Sequence, residues 1–211
     1  YLKFVNEKSS ANYFIGHSLG EYNALVAAGA ISFQDGLMLV KERGRLMSEV
    51  SNGGMCAIIG MDINAVQSLL DSDEFSSIDL ANINAPNQVV VSGPIELMDE
   101  ISDAAKKAGA KMAIKLNVSG AFHSRYMKDV GDVFSKYINE VFISNFDQVV
   151  IANVTATPYK VNQVKDLLKE QMYSSVQWVK TIHYLQSKGE TDFIEVGPGR
   201  VLSGLLRHIN R

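Results

Sequence analysis

Gly16-His17-Ser18-Leu19-Gly20 is a G-x-S-x-G pentapeptide. A short apolar run at 11–16 precedes it, and a pattern placing Tyr22, Leu25, Val26 and Ala28 on one helical face follows. Between a strand and a helix this pentapeptide is a nucleophile elbow, whose glycines permit the strained turn that lifts the Ser18 hydroxyl clear of the sheet. The Leu19 backbone N–H, at the helix start, then faces an oxyanion developing on an attacked carbonyl, with the helix dipole in support. The competing reading is a glycine-rich turn with a serine N-cap.

A serine of ordinary acidity needs a base. The chain has four histidines. His17 adjoins the serine on a turn from which neighbouring side chains diverge, so it lines the pocket or packs. His183 and His208 fall in helical patterns and read as surface or packing residues. His123 lies in SGAFHS (119–124), a glycine-containing loop joining two segments of different rhythm, where clefts form, and is the preferred base. An arginine fork suits a substrate carboxylate. Arg43 and Arg45, in KERGR (41–45), both offer one, and a solvated charge at a helix end is the alternative for each.

These residues need a scaffold. Ser32 is a plausible N-cap for an amphipathic helix over 32–50. Strands at 55–61, 78–83, 88–92 and 111–116, with helices at 64–70 and 95–108, give the order βαββαβ, a ferredoxin-like unit read as an insert covering 52–118. Helices at 126–141, 164–172, 177–187 and 201–209, with strands at 149–154 and 193–196, complete an α/β core. That core, 1–51 plus 119–211, is expected to carry a mainly parallel sheet covered on both faces.

Composition removes other classes. The 211 residues, 46% hydrophobic and 20% charged, suit a folded domain with or without a smaller insert. A net charge of −3, without a Lys/Arg run, argues against a nucleic-acid-binding face. One cysteine, Cys56, excludes an internal disulfide and a Cys-based zinc site, fits a reducing cytoplasm and reads as inert core. No apolar stretch approaches the ~20 residues of a membrane span. The first eight residues do not form a signal peptide, and the opening Tyr1 suggests a missing upstream segment.

Five segments in order, GHSLGEY (16–22), VKERGRLM (40–47), VSGAFHSRYM (118–127), VQW (176–178) and EVGPG (195–199), resemble malonyl-CoA:acyl-carrier-protein transacylases over nearly the whole chain. The resemblance implies an α/β-hydrolase-like core with an inserted ferredoxin-like subdomain. It implies Ser18 as the acyl-carrying nucleophile, His123 as its base, and Arg43 as the grip on the malonyl carboxylate. It also implies Gln177 as the residue whose backbone carbonyl orients the histidine, and Phe122 as the bulky residue of malonyl-selective members. The implied reaction is ping-pong, from malonyl-CoA to the phosphopantetheine thiol of an acyl carrier protein, with no metal and no cofactor, in a cytoplasmic monomer. NVTATPY (153–159) and GAFHS lean towards a free-standing enzyme of a polyketide assembly line rather than fatty-acid synthesis. Lys180, Lys188, Arg200 and Arg207 are candidates for a carrier-facing basic patch, and Asn84 and Asn153 for the pocket wall. Members of the family begin with a strand and a Gly-Gln-Gly loop that supplies a second oxyanion donor. Neither precedes residue 11, so the chain is expected to be a fragment. Alternative readings are an acyl hydrolase of the same fold, a lipase-type hydrolase using His208 or His183, and a non-enzymatic docking domain.

Overall fold

The computed structural model describes residues 11–210. The expectations about a signal peptide and the opening tyrosine fall outside the described residues. Tyr13–Phe14 (β1) leads through the pentapeptide into Gly20–Ala27 (α1), followed by Phe33–Ser48 (α2). The Ser32 hydroxyl caps α2, accepting the Asp35 N–H at 3.0 Å. Gly36, Leu39, Arg43 and Leu46 form the buried stripe of α2, so an arginine occupies a position with apolar periodicity.

Gly53–Ile59 (β2), Ile63–Leu70 (α3), Asp79–Ala85 (β3), Gln88–Pro94 (β4), Leu97–Lys107 (α4) and Met112–Lys115 (β5) follow. The strands form one antiparallel sheet in the order β3-β4-β2-β5, the ferredoxin-like arrangement that the alternating pattern predicts. This sheet and its helices enclose their own apolar cluster, including Cys56, Ile58, Val89, Val91, Met98 and Ile101. Each such fully buried aliphatic side chain contributes about 1.5–3 kcal/mol relative to exposure.

Lys128–Glu140 (α5), Val149–Val150 (β6), Val164–Gln171 (α6), Trp178–Ser187 (α7) and Val201–Ile209 (α8) complete the chain. β6 pairs in parallel with β1, Tyr13 opposite Val149 and Phe14 opposite Val150. A second cluster, with Tyr22, Leu25, Leu39, Phe134, Ile138 and Leu168, sits among α1, α2, α5 and α6. β3 docks on this core through Ile83 and Ala85, which pack with Trp178, Ile182, Leu205 and Ile209. Close backbone approach also ties the units together, since a Cβ on Gly53 would lie 2.1 Å from the Ala121 nitrogen. No helix among the described residues is long and apolar enough to cross a membrane.

Two expected strands differ. The 149–154 strand stops at Val150, because the chain folds back on itself: Ala152 N–H donates to Thr157 O at 3.0 Å and Tyr159 N–H to Val150 O at 2.8 Å. The 193–196 segment pairs with no strand among the described residues. Its Glu195 instead caps α8, accepting the N–H groups of Leu202 at 3.0 Å and Ser203 at 2.9 Å. Those bonds fix the segment by a helix terminus rather than by a ladder.

Candidate active site

β1 runs straight into the elbow, where Ser18 has φ 54°, a left-handed conformation that a non-glycine residue holds only when its surroundings enforce it. Asn153 supplies part of that enforcement. Its Oδ1 accepts the Ser18 N–H at 2.7 Å and its Nδ2 donates to the Gly16 carbonyl at 2.6 Å. Gly16 is required by packing, since a Cβ there would lie 2.0 Å from the Gly20 carbonyl atoms. Among the described residues no acceptor takes the Leu19 N–H, which leaves it available to an oxyanion.

His123, also left-handed at φ 58° and 5% exposed, places Nε2 2.8 Å from Ser18 Oγ. Its Nδ1 lies 2.9 Å from the backbone carbonyl oxygen of Gln171. A carbonyl only accepts, so Nδ1 carries the proton and Nε2 is left to accept from the serine hydroxyl. The orienting residue is therefore Gln171, which corrects the expectation of Gln177. Gln171 ends α6, where the last carbonyls of a helix lack helical partners, whereas the Gln177 carbonyl already accepts the Thr181 N–H at 2.9 Å in α7. Gln177 itself donates its N–H to the Asn153 carbonyl at 2.9 Å.

The structure separates the two arginines. Arg45 is exposed and bound to Glu42 at 2.8 Å and Glu49 at 2.7 Å. Arg43 is 4% exposed, and its Nη2 donates to Ser18 Oγ at 3.0 Å and Gln171 Oε1 at 3.3 Å. Its guanidinium carbon lies 5.7 Å from the centre of the Tyr22 ring, and its Nε has no partner among the described residues. Burial, reinforced by the Arg43 charge, pushes the His123 imidazole down to about 3, so the base rests neutral.

Beneath these groups Glu21 is completely buried. One carboxylate oxygen accepts the Asn153 N–H at 2.8 Å and the Tyr159 hydroxyl at 2.7 Å, and the other accepts the Gln171 amide. Burial pushes Glu21 up to about 7 despite those donors and Arg43. The sequence did not single out Glu21 or Gln171.

His17 packs beside the elbow: its Nε2 lies 2.8 Å from Asn84 Oδ1, its ring is tilted 59° against Trp178, and burial lowers its pKa. Phe122 packs against both the core and the smaller sheet. His183 and His208 are exposed on α7 and α8, and among the described residues neither hydrogen-bonds to Ser18. A cavity of about 530 Å³ between β3 and α7 reaches His123 and is also lined by Asn64, Arg125, Ser175, Gln177 and Lys180. Lys180 is thus the one expected basic residue on this cleft. Arg125, which pairs with Asp79, joins it there.

Fold and site together define an acyltransferase of the α/β class. Residues 9–208 match the family model of the acyl transferase domain, and the chain belongs to that family. It is 44% identical to the polyketide biosynthesis malonyl CoA-acyl carrier protein transacylase PksC of Bacillus subtilis, covering 100% of this chain and 74% of that protein. It is 46% identical to the polyketide biosynthesis protein PksE of the same organism, covering 99% of this chain but only 28% of PksE. Among solved structures, malonyl CoA-acyl carrier protein transacylase from Burkholderia pseudomallei superposes with a TM-score of 0.93 at 34% identity, covering 100% of this chain and 74% of that one. A malonyl-transacylase solved with its type II polyketide-synthase acyl-carrier protein gives a TM-score of 0.87 at 34% identity, covering 95% and 67%.

Proposed function

We propose that this chain is the catalytic part of a malonyl-CoA:acyl-carrier-protein transacylase working through a Ser18 acyl-enzyme. The observation that carries the reading is the position of one oxygen: Ser18 Oγ lies 2.8 Å from His123 Nε2 and 3.0 Å from Arg43 Nη2. A base and a carboxylate receptor therefore converge on the same nucleophile.

In the first half-reaction Ser18 Oγ attacks the malonyl thioester carbonyl while its proton passes to His123 Nε2. The Leu19 N–H stabilises the oxyanion. The carbon–sulfur bond breaks, and coenzyme A leaves with the proton that His123 returns. In the second half the phosphopantetheine thiol gives its proton to His123 and attacks the ester, and Ser18 Oγ departs reprotonated. Arg43 holds the malonyl carboxylate throughout, at a buried position where an acetyl group would offer it no carboxylate partner. The cleft reaching His123 admits the thiol-bearing arm, with Lys180 and Arg125 at its wall, and Phe122, next to His123 in the chain, is the candidate for malonyl selectivity. The names of similar proteins support a carrier-protein acceptor and a link to polyketide biosynthesis, and the reading adds a free-standing, cytoplasmic, monomeric enzyme. The separate apolar clusters support division into a core of 1–51 plus 119–211 and a subdomain of 52–118.

The test compares Ser18→Ala, His123→Ala and His208→Ala in malonyl transfer from malonyl-CoA to a holo carrier protein. The first two variants are expected to lose transfer and the third to retain it. Loss confined to His208→Ala would instead assign a lipase-type triad.

A further inference from the structure

Glu21, Arg43 and Gln171 are three buried polar residues on three different helices, and one amide joins them. The two hydrogens of Gln171 Nε2 go to the Glu21 carboxylate and to the Ser18 carbonyl, the latter at 2.9 Å. Its Oε1 is thereby left for Arg43 Nη2 at 3.3 Å. Charge fixes this orientation. A flipped amide would set its oxygen against the Glu21 carboxylate and its hydrogens against the Arg43 guanidinium, unfavourable at both ends. The backbone carbonyl of the same Gln171 holds His123 Nδ1 at 2.9 Å. Through its other oxygen Glu21 holds the Asn153 N–H at 2.8 Å, and Asn153 in turn pins the Ser18 N–H. One carboxylate thus lies behind the nucleophile, the base and the carboxylate receptor.

We propose that Glu21 is a positioning residue for acyl transfer, whose ionised carboxylate fixes the Gln171 amide and so sets the direction of Arg43, His123 and Ser18 together. The inference rests on the acyl-transfer reading above. Glu21 touches neither substrate nor reacting atoms and acts only through Gln171 and Asn153.

Its charge state gives the role a signature. When a proton sits on the Glu21 oxygen that faces Gln171, that acceptor becomes a donor, the Gln171 amide turns to offer its oxygen, and the Arg43 contact is lost. The charged and titratable groups facing Glu21 are Arg43 from α2, Tyr22 beside it on α1, and Tyr159 from the segment after β6, whereas α6 presents only the neutral Gln171 amide. Burial raises Glu21 to about 7 and lowers His123 to about 3. The acid limb of acylation near neutrality therefore follows Glu21, because the base is already neutral there. Removing the Tyr159 hydroxyl takes away a donor that lowers Glu21, so the limb moves to higher pH.

The experiment measures the rate of Ser18 malonylation by malonyl-CoA, by rapid quench and intact mass, from about pH 5 to 8. Wild type, Glu21→Gln and Tyr159→Phe are compared after circular dichroism has established folding. Glu21→Gln is expected to acylate about 10²-fold more slowly, the loss that a displacement of about 1 Å in a reacting group produces, with no acid limb. Tyr159→Phe is expected to keep the limb but shift it upward. A Glu21→Gln variant with the wild-type rate and limb overturns the inference. If that variant does not fold, an unmoved or lowered limb in Tyr159→Phe overturns it. Failure of wild type to acquire any malonyl group would count against the acyl-transfer reading itself, a different result from either.

Discussion

On the proposed reading, replacing Arg43 with alanine should separate recognition of the acyl group from the chemistry done on it. Arg43 is 4% exposed, and its Nε has no partner among the described residues. A bound carboxylate would gain two charge-assisted hydrogen bonds from the fork, each about 1.5–3 kcal/mol. Together they are worth about 3–6 kcal/mol, which is roughly 10²–10⁴ in kcat/KM at about 1.4 kcal/mol per decade. Malonyl-CoA should lose that much in Arg43→Ala. Acetyl-CoA makes neither bond, so no such loss applies to it. Its acylation should hold or rise, because removing the guanidinium also removes a positive charge that depresses His123. Arg43→Lys should fall between, keeping the charge without the fork. The assay is initial-rate transfer with each thioester, with thermal melting to exclude unfolding. Unchanged malonyl transfer, or equal losses on malonyl and acetyl substrates, would refute the reasoning.

Other expectations concern the groups around it. Gln171→Ala keeps the backbone carbonyl under His123 but frees Arg43 and the Ser18 carbonyl. Malonyl kcat/KM should drop by about 10-fold or more, for hydrogen bonds to charged groups worth about 1.5–3 kcal/mol, while Gln177→Ala should stay within a few-fold of wild type. Gly16→Ala should fail to yield folded protein, since its Cβ would lie 2.0 Å from the Gly20 carbonyl, and a loss of the cooperative thermal transition reads this out. The His123 ring, lowered to about 3, should show no protonation shift in NMR spectra above about pH 5, and Arg43→Ala should raise its pKa. An imidazole titrating near 6.5 in wild type would contradict the burial argument.

Much of this molecule was legible because local rules and tertiary structure agree. The elbow shows in the pentapeptide since few residues tolerate the turn, and the ferredoxin-like unit shows in its alternating strands and two amphipathic helices. The 193–196 segment differs from the expected strand because a short apolar run before Gly-Pro-Gly does not reveal that Glu195 caps a helix. The choice between Arg43 and Arg45 had a signal that motif reading passed over: Arg43 falls on the Leu39–Leu46 stripe and Arg45 does not. Gln171 carries the same signal, following Val164 and Leu168 on the buried face of α6, as does Glu21 with Ala24 and Leu25 on α1. A polar residue on an apolar stripe costs stability unless it is paired, and here the three pair with one another. What no spacing reveals is which carbonyl holds His123, because Gln171 and Gln177 differ only in whether their helix already uses that oxygen.

The central claim is that Ser18 carries the acyl group between two thiols. The most direct measurement incubates the protein with malonyl-CoA, removes free coenzyme A, locates the adduct by intact-mass and peptide analysis, and then adds a holo carrier protein. One malonyl ester is expected on Ser18, absent in Ser18→Ala, that passes to the carrier thiol when the carrier is added. A protein that transfers malonyl without ever holding it, or that holds it on another residue, would contradict it.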